Sequence, residues 1–156
     1  MDKLSILSWN VRGTNKGVNR LNIRTIVSEC KAMVLCVQET KRAQWNERLI
    51  GSLGMRGDVE WIETPSQGLS GGLLMVWDSS IIKASAVGSN LNWQWLIGSM
   101  VGYEGDFVCV NVYAPQKSAP KQELWSDLSS FLSNKCDLPQ VLICLLYTSP
   151  SPRDRG

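Results

Sequence analysis

Histidine does not occur anywhere in the 156 residues. Its absence removes the commonest general base, the commonest metal-binding side chain and every Ser-His or Cys-His arrangement. Any chemistry this chain supports must run on carboxylates, amides, tyrosine or lysine. The five cysteines, Cys30, Cys36, Cys109, Cys136 and Cys144, form no CxxC pair, and three of them stand inside apolar runs where a reduced thiol packs well. Neither a disulfide nor a zinc site is expected, and so no disulfide-linked partner. The chain has no apolar run of about 18 residues, and its first residues lack the apolar stretch of a signal peptide. An intracellular protein is therefore expected, rather than a secreted or membrane-spanning one. Charge of one sign is also scarce in excess, with 16 Lys plus Arg against 14 Asp plus Glu and a net charge of +2. Such a balance predicts no nucleic-acid partner by itself. Neither GxGxxG nor GxxxxGK(S/T) occurs, which excludes the common nucleotide-binding loops.

What is present suits a folded core. Hydrophobic residues make up 44% and charged residues 19%, with seven tryptophans to bury. At about 100 to 200 residues per domain, the length predicts one folding unit or part of one. Residues 1–146 read as domain. Residues 147–156 carry no apolar pattern and are expected to be disordered and foreign to the domain.

Leu4 to Asn10 reads as a strand closed by a polar, turn-forming stretch. Ile23, Ile26, Val27 and Cys30 then fall at i, i+3, i+4 and i+7, the stripe of an amphipathic helix. Met33 to Val37 is a continuous apolar run, suited to a central strand covered on both faces. A shorter helix is expected over roughly 42–53, with Trp45 and Leu49 on one side. From Val59 the chain turns to β-formers separated by Gly, Ser and Asp, over 59–64, 72–77, 81–87, 93–101 and 107–113, which predicts an antiparallel meander. Leu124, Leu128, Phe131 and Leu132 mark another helix, and 141–146 a last strand. Trp93 and Trp95 flank Gln94, a pattern that alternates faces of a sandwich strand or, if exposed, offers a stacking platform for bases.

Three polar residues stand at predicted strand ends: Asn10, Glu39 and Tyr113. Sites in layered α/β proteins gather there, although each residue alone is explained as well by a turn, a solvated carboxylate or a half-buried aromatic. Their neighbours add weight. Leu7-Ser8-Trp9-Asn10-Val11-Arg12-Gly13, then Gln38-Glu39-Thr40, then Ser70-Gly71-Gly72, then Val112-Tyr113-Ala114-Pro115, in this order and spacing, resemble the endonuclease/exonuclease/phosphatase superfamily. The likeness covers roughly 4–146 and is strongest to endonuclease domains of LINE-type (non-LTR) retrotransposons, relatives of apurinic/apyrimidinic endonucleases.

That resemblance implies an α+β, DNase I-like layered sandwich, two packed sheets flanked by helices. It implies Mg²⁺ (or Mn²⁺) held by Glu39 with help from Asn10, and Tyr113 approaching a scissile phosphate. Hard cations of this kind use one or two carboxylates plus water and phosphate oxygens. Gly71 and Gly72 match a pair that lets backbones approach closely near the site or simply opens a strand. The implied reaction is attack of water on a phosphodiester of DNA, in the nucleus for a retrotransposon enzyme. The resemblance also implies a base Asp in a Gly-Asp-Phe-Asn motif after 141–146, and later an Asp and a His. Leu145, Leu146 and Tyr147 stand where the motif would be, and there is no His. The expectation is a fragment lacking the second half of the domain and much of the second sheet, inactive and poorly soluble alone. A non-catalytic module binding nucleic acid or protein, and a hydrolase of phosphorylated lipids or small phosphodiesters, are the alternatives. Arg12, Lys16, Arg20 and Arg24 are candidates for backbone phosphate contacts or for a solvated helix face.

Overall fold

The structure is a computed structural model and describes residues 4–11, 13, 17–67, 71–113, 118–133 and 140–146. Arg12, Lys16, Ser70, Ala114, Pro115 and the stretch 147–156 lie outside the described residues. Elements follow in the order β1 (Ile6–Asn10), α1 (Gly17–Cys30), β2 (Val34–Gln38), α2 (Glu47–Gly51), β3 (Val59–Thr64), β4 (Leu73–Asp78), β5 (Ile82–Ser89), β6 (Trp93–Met100), β7 (Asp106–Tyr113), α3 (Ser118–Ser133) and β8 (Gln140–Leu146).

Eight strands form two sheets of four, ordered β1-β2-β4-β3 and β5-β6-β7-β8. Each sheet holds one parallel pair across a helical crossover, β1 with β2 through α1 and β7 with β8 through α3; the remaining pairs are antiparallel. The stretch expected to be one meander is thus divided, with β3 and β4 in the first sheet and β5 to β7 in the second. Four strands of the second sheet come from the described residues.

Strand alternation sorts side chains into three cores. Leu35, Val37, Leu74 and Val76 face α1 and α2, where they meet Ile23, Val27, Trp45, Ile50 and Leu53. Val108, Val110 and Val112 face α3, meeting Leu124 and Leu128. Between the sheets lie Val34, Cys36, Met75, Trp77, Leu96, Phe107 and Cys109. The result is four layers, helix, sheet, sheet, helix, which is how two one-sided sheets bury both faces.

α1 begins six residues ahead of its first buried residue, Ile23; Val27 is buried too, while Cys30 at the end of the stripe is exposed. α2 is shorter than 42–53 because Asn46 caps it, its Oδ1 accepting from the Leu49 amide at 2.9 Å. Trp45 therefore lies just outside the helix and is still buried. Trp93 and Trp95 both meet the Phe131 ring of α3, at centroid distances of 5.2 and 5.6 Å. They are packing residues on the α3 face, not a stacking platform for bases. No helix among the described residues is long and apolar enough to cross a membrane.

Candidate active site

The layer between the sheets changes character along its length. One end is apolar. Continuing each strand at the same alternation toward the other end gives Ser8 and Asn10 on β1, Gln38 on β2, Thr64 on β3, Gln94 on β6, and Asn111 and Tyr113 on β7. Polar side chains thus replace apolar ones where β1, β2, β3 and β7 finish. Gln38, Gln94 and Asn111 have no exposed surface, and burial on this scale is tolerated only with hydrogen bonds.

Most of those bonds run from sheet to sheet. Gln38 Nε2 donates to Ser8 Oγ at 3.0 Å and to Asn111 Oδ1 at 2.7 Å. Asn111 Nδ2 donates to the carbonyls of Val37 (3.3 Å) and Leu74 (3.1 Å) and to Gln94 Oε1 (3.0 Å). Gln94 Nε2 in turn donates to the carbonyls of Ile62 (3.0 Å) and Leu73 (3.2 Å) and to Thr64 Oγ1 (3.3 Å).

One rung further out, Tyr113 donates from its hydroxyl to Glu39 Oε1 at 3.1 Å. Gln38 and Glu39 are consecutive yet both reach the second sheet, which strand alternation forbids. Glu39 manages it by adopting a left-handed backbone, φ +56°. For a residue of this size the conformation is uncommon and persists where surroundings enforce it. Here the Gly13 amide donates to the Glu39 carbonyl at 2.7 Å, the Thr40 amide to Gly72 O at 3.1 Å and the Lys41 amide to Gly71 O at 2.8 Å. The loops after β1 and β2 and the approach to β4 are therefore stitched together around Glu39. Gly72 has φ +95°, and a Cβ there would run into Thr40 Oγ1 and lie 3.3 Å from the Lys41 amide. The glycine pair permits a close backbone approach.

Tyr113 is held from its own side. Its amide donates to Asn92 O at 2.8 Å, and Asn90 Oδ1 accepts from the amides of Asn92 and Trp93, both at 2.9 Å, fixing the β5–β6 turn. Burial raises the Tyr113 pKa above the ordinary tyrosine value, and the charge of Glu39 and the hydrogen bond to it raise it further. Tyr113 is thus a phenol at neutral pH, a donor and not a phenolate. Asn10 is half-buried at the end of β1, opposite Gln38 in register. The structure thus brings Glu39 and Tyr113 into direct contact and sets Asn10 at the adjoining strand end.

Basic side chains collect around α1, α2 and the loop that joins β2 to α2. Arg20, Arg48, Asn46, Leu49 and Ser52 line a cavity of about 450 Å³ between α1 and α2. Arg42 lies over the Trp45 ring at 5.5 Å, its pKa lowered by burial and then by the charge of Arg20. Arg24 instead packs at Gly54, where an added Cβ would come within 2.7 Å of its Cγ.

Sequence reasoning named Asn10, Glu39 and Tyr113 but missed Gln38, Gln94 and Asn111. Each is a polar residue interrupting an otherwise apolar strand, and its partners lie on the opposite sheet, where no local pattern reaches.

No family model matches the chain, and no curated protein matches it. Solved structures do. An endonuclease/exonuclease/phosphatase family protein from Bacteroides thetaiotaomicron superposes with a TM-score of 0.64 at 12% identity, over 88% of this chain and 60% of that one. The catalytic domain of Xenopus laevis APE2 gives 0.65 at 16%, over 95% and 60%. The mannosyl-6-phosphatase Bt3783, also from Bacteroides thetaiotaomicron, gives 0.61 at 14%, over 89% and 64%. The fold is therefore the DNase I-like fold of endonuclease/exonuclease/phosphatase proteins. This chain spans between 60% and 64% of the length of these three structures.

Proposed function

We propose that these residues carry part of the active site of a divalent-metal-dependent phosphodiesterase that cuts DNA, of the retrotransposon endonuclease kind. The 3.1 Å hydrogen bond from Tyr113 to Glu39 carries the reading, because it places a carboxylate and a phenol together at the polar end of the inter-sheet layer. The donor set fits Mg²⁺ or Mn²⁺. Glu39 is half-buried and uses Oε1 for Tyr113, its second oxygen is a hard donor, and Asn10 offers an amide oxygen from the neighbouring strand end. Such an ion, when bound, stabilises charge on the phosphate oxygens and the leaving group.

The chain's own residues do the rest. Tyr113, kept protonated, would turn its single hydroxyl proton from Glu39 to a phosphate oxygen as charge builds there. Asn10 orients the same group through its amide. The arginine-lined cavity between α1 and α2 favours a polyanionic substrate over a small phosphate ester. The base that orients water belongs, by the resemblance, to a Gly-Asp-Phe-Asn motif in whose place this sequence has Leu145 and Leu146, the last residues of β8, and Tyr147, so a chain with these residues there is expected to lack that base.

Nicking of supercoiled plasmid tests this, comparing the 156-residue chain with the protein read from the whole locus, in Mg²⁺ and in EDTA. Metal-dependent nicking is expected from the longer protein, lost in Glu39→Gln, with none from the 156 residues. Nicking that survives Glu39→Gln sinks the assignment, and turnover by the 156 residues sinks the statement about the base.

A further inference from the structure

Two rungs cross from sheet to sheet in succession at the end of the sandwich: Gln38 to Asn111 at 2.7 Å, then Tyr113 to Glu39 at 3.1 Å. Gln38 immediately precedes Glu39, and Asn111 lies two residues before Tyr113 on the same face of β7, about 7 Å along the strand. The inner rung belongs to a larger grip. Val37 and Leu74, whose carbonyls accept from Asn111, are register partners on β2 and β4. Gln94 is the cross-strand partner of Asn111 and reaches β3 and β4 through Ile62, Thr64 and Leu73. Two amides of the second sheet thus hold three strands of the first.

Apolar packing alone would not do this. The contacts of Phe107, Cys109, Met75 and Leu96 are non-directional and accept small sliding of one sheet over the other. A hydrogen bond is lost over a fraction of an ångström to an ångström. Placing amides at the last inward positions before the site, where apolar residues would bury more simply, sacrifices hydrophobic stabilisation for a fixed register.

We propose that Asn111 is a positioning residue, which through Gln38 and Gln94 fixes the register of the two sheets and thereby brings Tyr113 onto Glu39. The inference rests on reading Glu39 and Tyr113 as an active site. Its own claim, however, is geometric and can be tested without turnover.

Labelling the chain with 3-fluorotyrosine reports on Tyr103, Tyr113 and Tyr147 by fluorine NMR, with Tyr113→Phe assigning the signal of interest. Glu39→Gln marks the resonance of a Tyr113 that has lost its carboxylate. Asn111→Leu is expected to move the Tyr113 signal in the direction Glu39→Gln does, leaving Tyr103 in place. Because Asn111→Leu takes one acceptor from Gln38 Nε2 and the donor from Gln94 Oε1, a cost that can prevent folding, Gln38→Met/Gln94→Met/Asn111→Leu removes all three amides together. That triple variant is expected to regain the urea midpoint lost by Asn111→Leu while keeping the displaced Tyr113 signal. A Tyr113 signal at its wild-type position in either folded variant overturns the proposal, because packing alone would then position the pair. Failure of the plasmid experiment leaves this outcome untouched, so the two readings fail separately.

Discussion

At the scale of single residues, the site depends on Glu39 occupying a backbone conformation that its side chain does not favour. Nothing in a glutamate announces φ +56°; the conformation arises from hydrogen bonds to Gly13, Gly71 and Gly72, which are remote in sequence. Its consequence can be read on Tyr113. Burial raises the phenol's pKa first, and the charge and hydrogen bond of Glu39 raise it further. A group whose folded pKa is raised stabilises the fold fully below its unfolded value, about 10 for tyrosine, and that contribution disappears as pH climbs through the folded value. The pH window is therefore alkaline. Replacing Glu39 with Gln removes the charge but not the burial. In metal-free buffer the Tyr113 step of the tyrosinate absorbance titration, identified by its loss in Tyr113→Phe, is expected to move toward lower pH in Glu39→Gln and to stay above the ordinary tyrosine value. An unmoved step would mean that the two side chains do not meet in solution.

At the scale of elements, Gly72 shows how a loop sets the approach of β4 to β2. Gly72→Ala must accept φ +95° and a Cβ against Thr40 Oγ1 and the Lys41 amide. Loss of more than about 1 kcal/mol is expected, since alanine is strained at positive φ, visible as a lower urea midpoint; Gly51→Ala, with open space at its Cβ, serves as the tolerated control. Most elements were legible because their signals are local. The unalternating run through Met33 to Val37 announced a strand with both faces covered, and the strand, Val34–Gln38, comes out buried at every position, with Met33 half-buried just before it. Ile23 and Val27 announced the inner face of α1. What local pattern could not say was that β4 ends one sheet's share of the chain and β5 begins the other's, because strand pairing is a property of distant segments. The same limit hid Gln38, Gln94 and Asn111. Each reads as an interruption of an apolar strand until the opposite sheet supplies its partner.

At the scale of the whole molecule, the layer between the sheets is apolar at one end and polar at the other. A net charge of +2 is too small to attract DNA, yet its distribution is uneven. Arg20 and Arg48 line one cavity with Asn46, and Arg42 is near enough to Arg20 to feel its charge. This group adjoins the site through the backbone: Arg42 lies three residues past Glu39, while Asn19, next to Arg20, donates from Nδ2 to the Gly13 carbonyl at 2.8 Å, and the Gly13 amide holds Glu39 O. If the proposed DNA substrate crosses the site, a neighbouring phosphate is expected against this cavity. Each phosphate neutralised releases counterions and adds about 0.9 to the slope of log affinity against log salt. Arg20→Gln/Arg48→Gln should therefore weaken binding about equally for duplexes of unrelated sequence and lower that slope by about 1 to 2, measured by fluorescence anisotropy at several salt concentrations in EDTA. Arg24→Gln, directed toward Gly54, should leave the slope as it is. If Arg24 matters as much as the pair, DNA follows another path across the molecule, and the cavity between α1 and α2 is not on it.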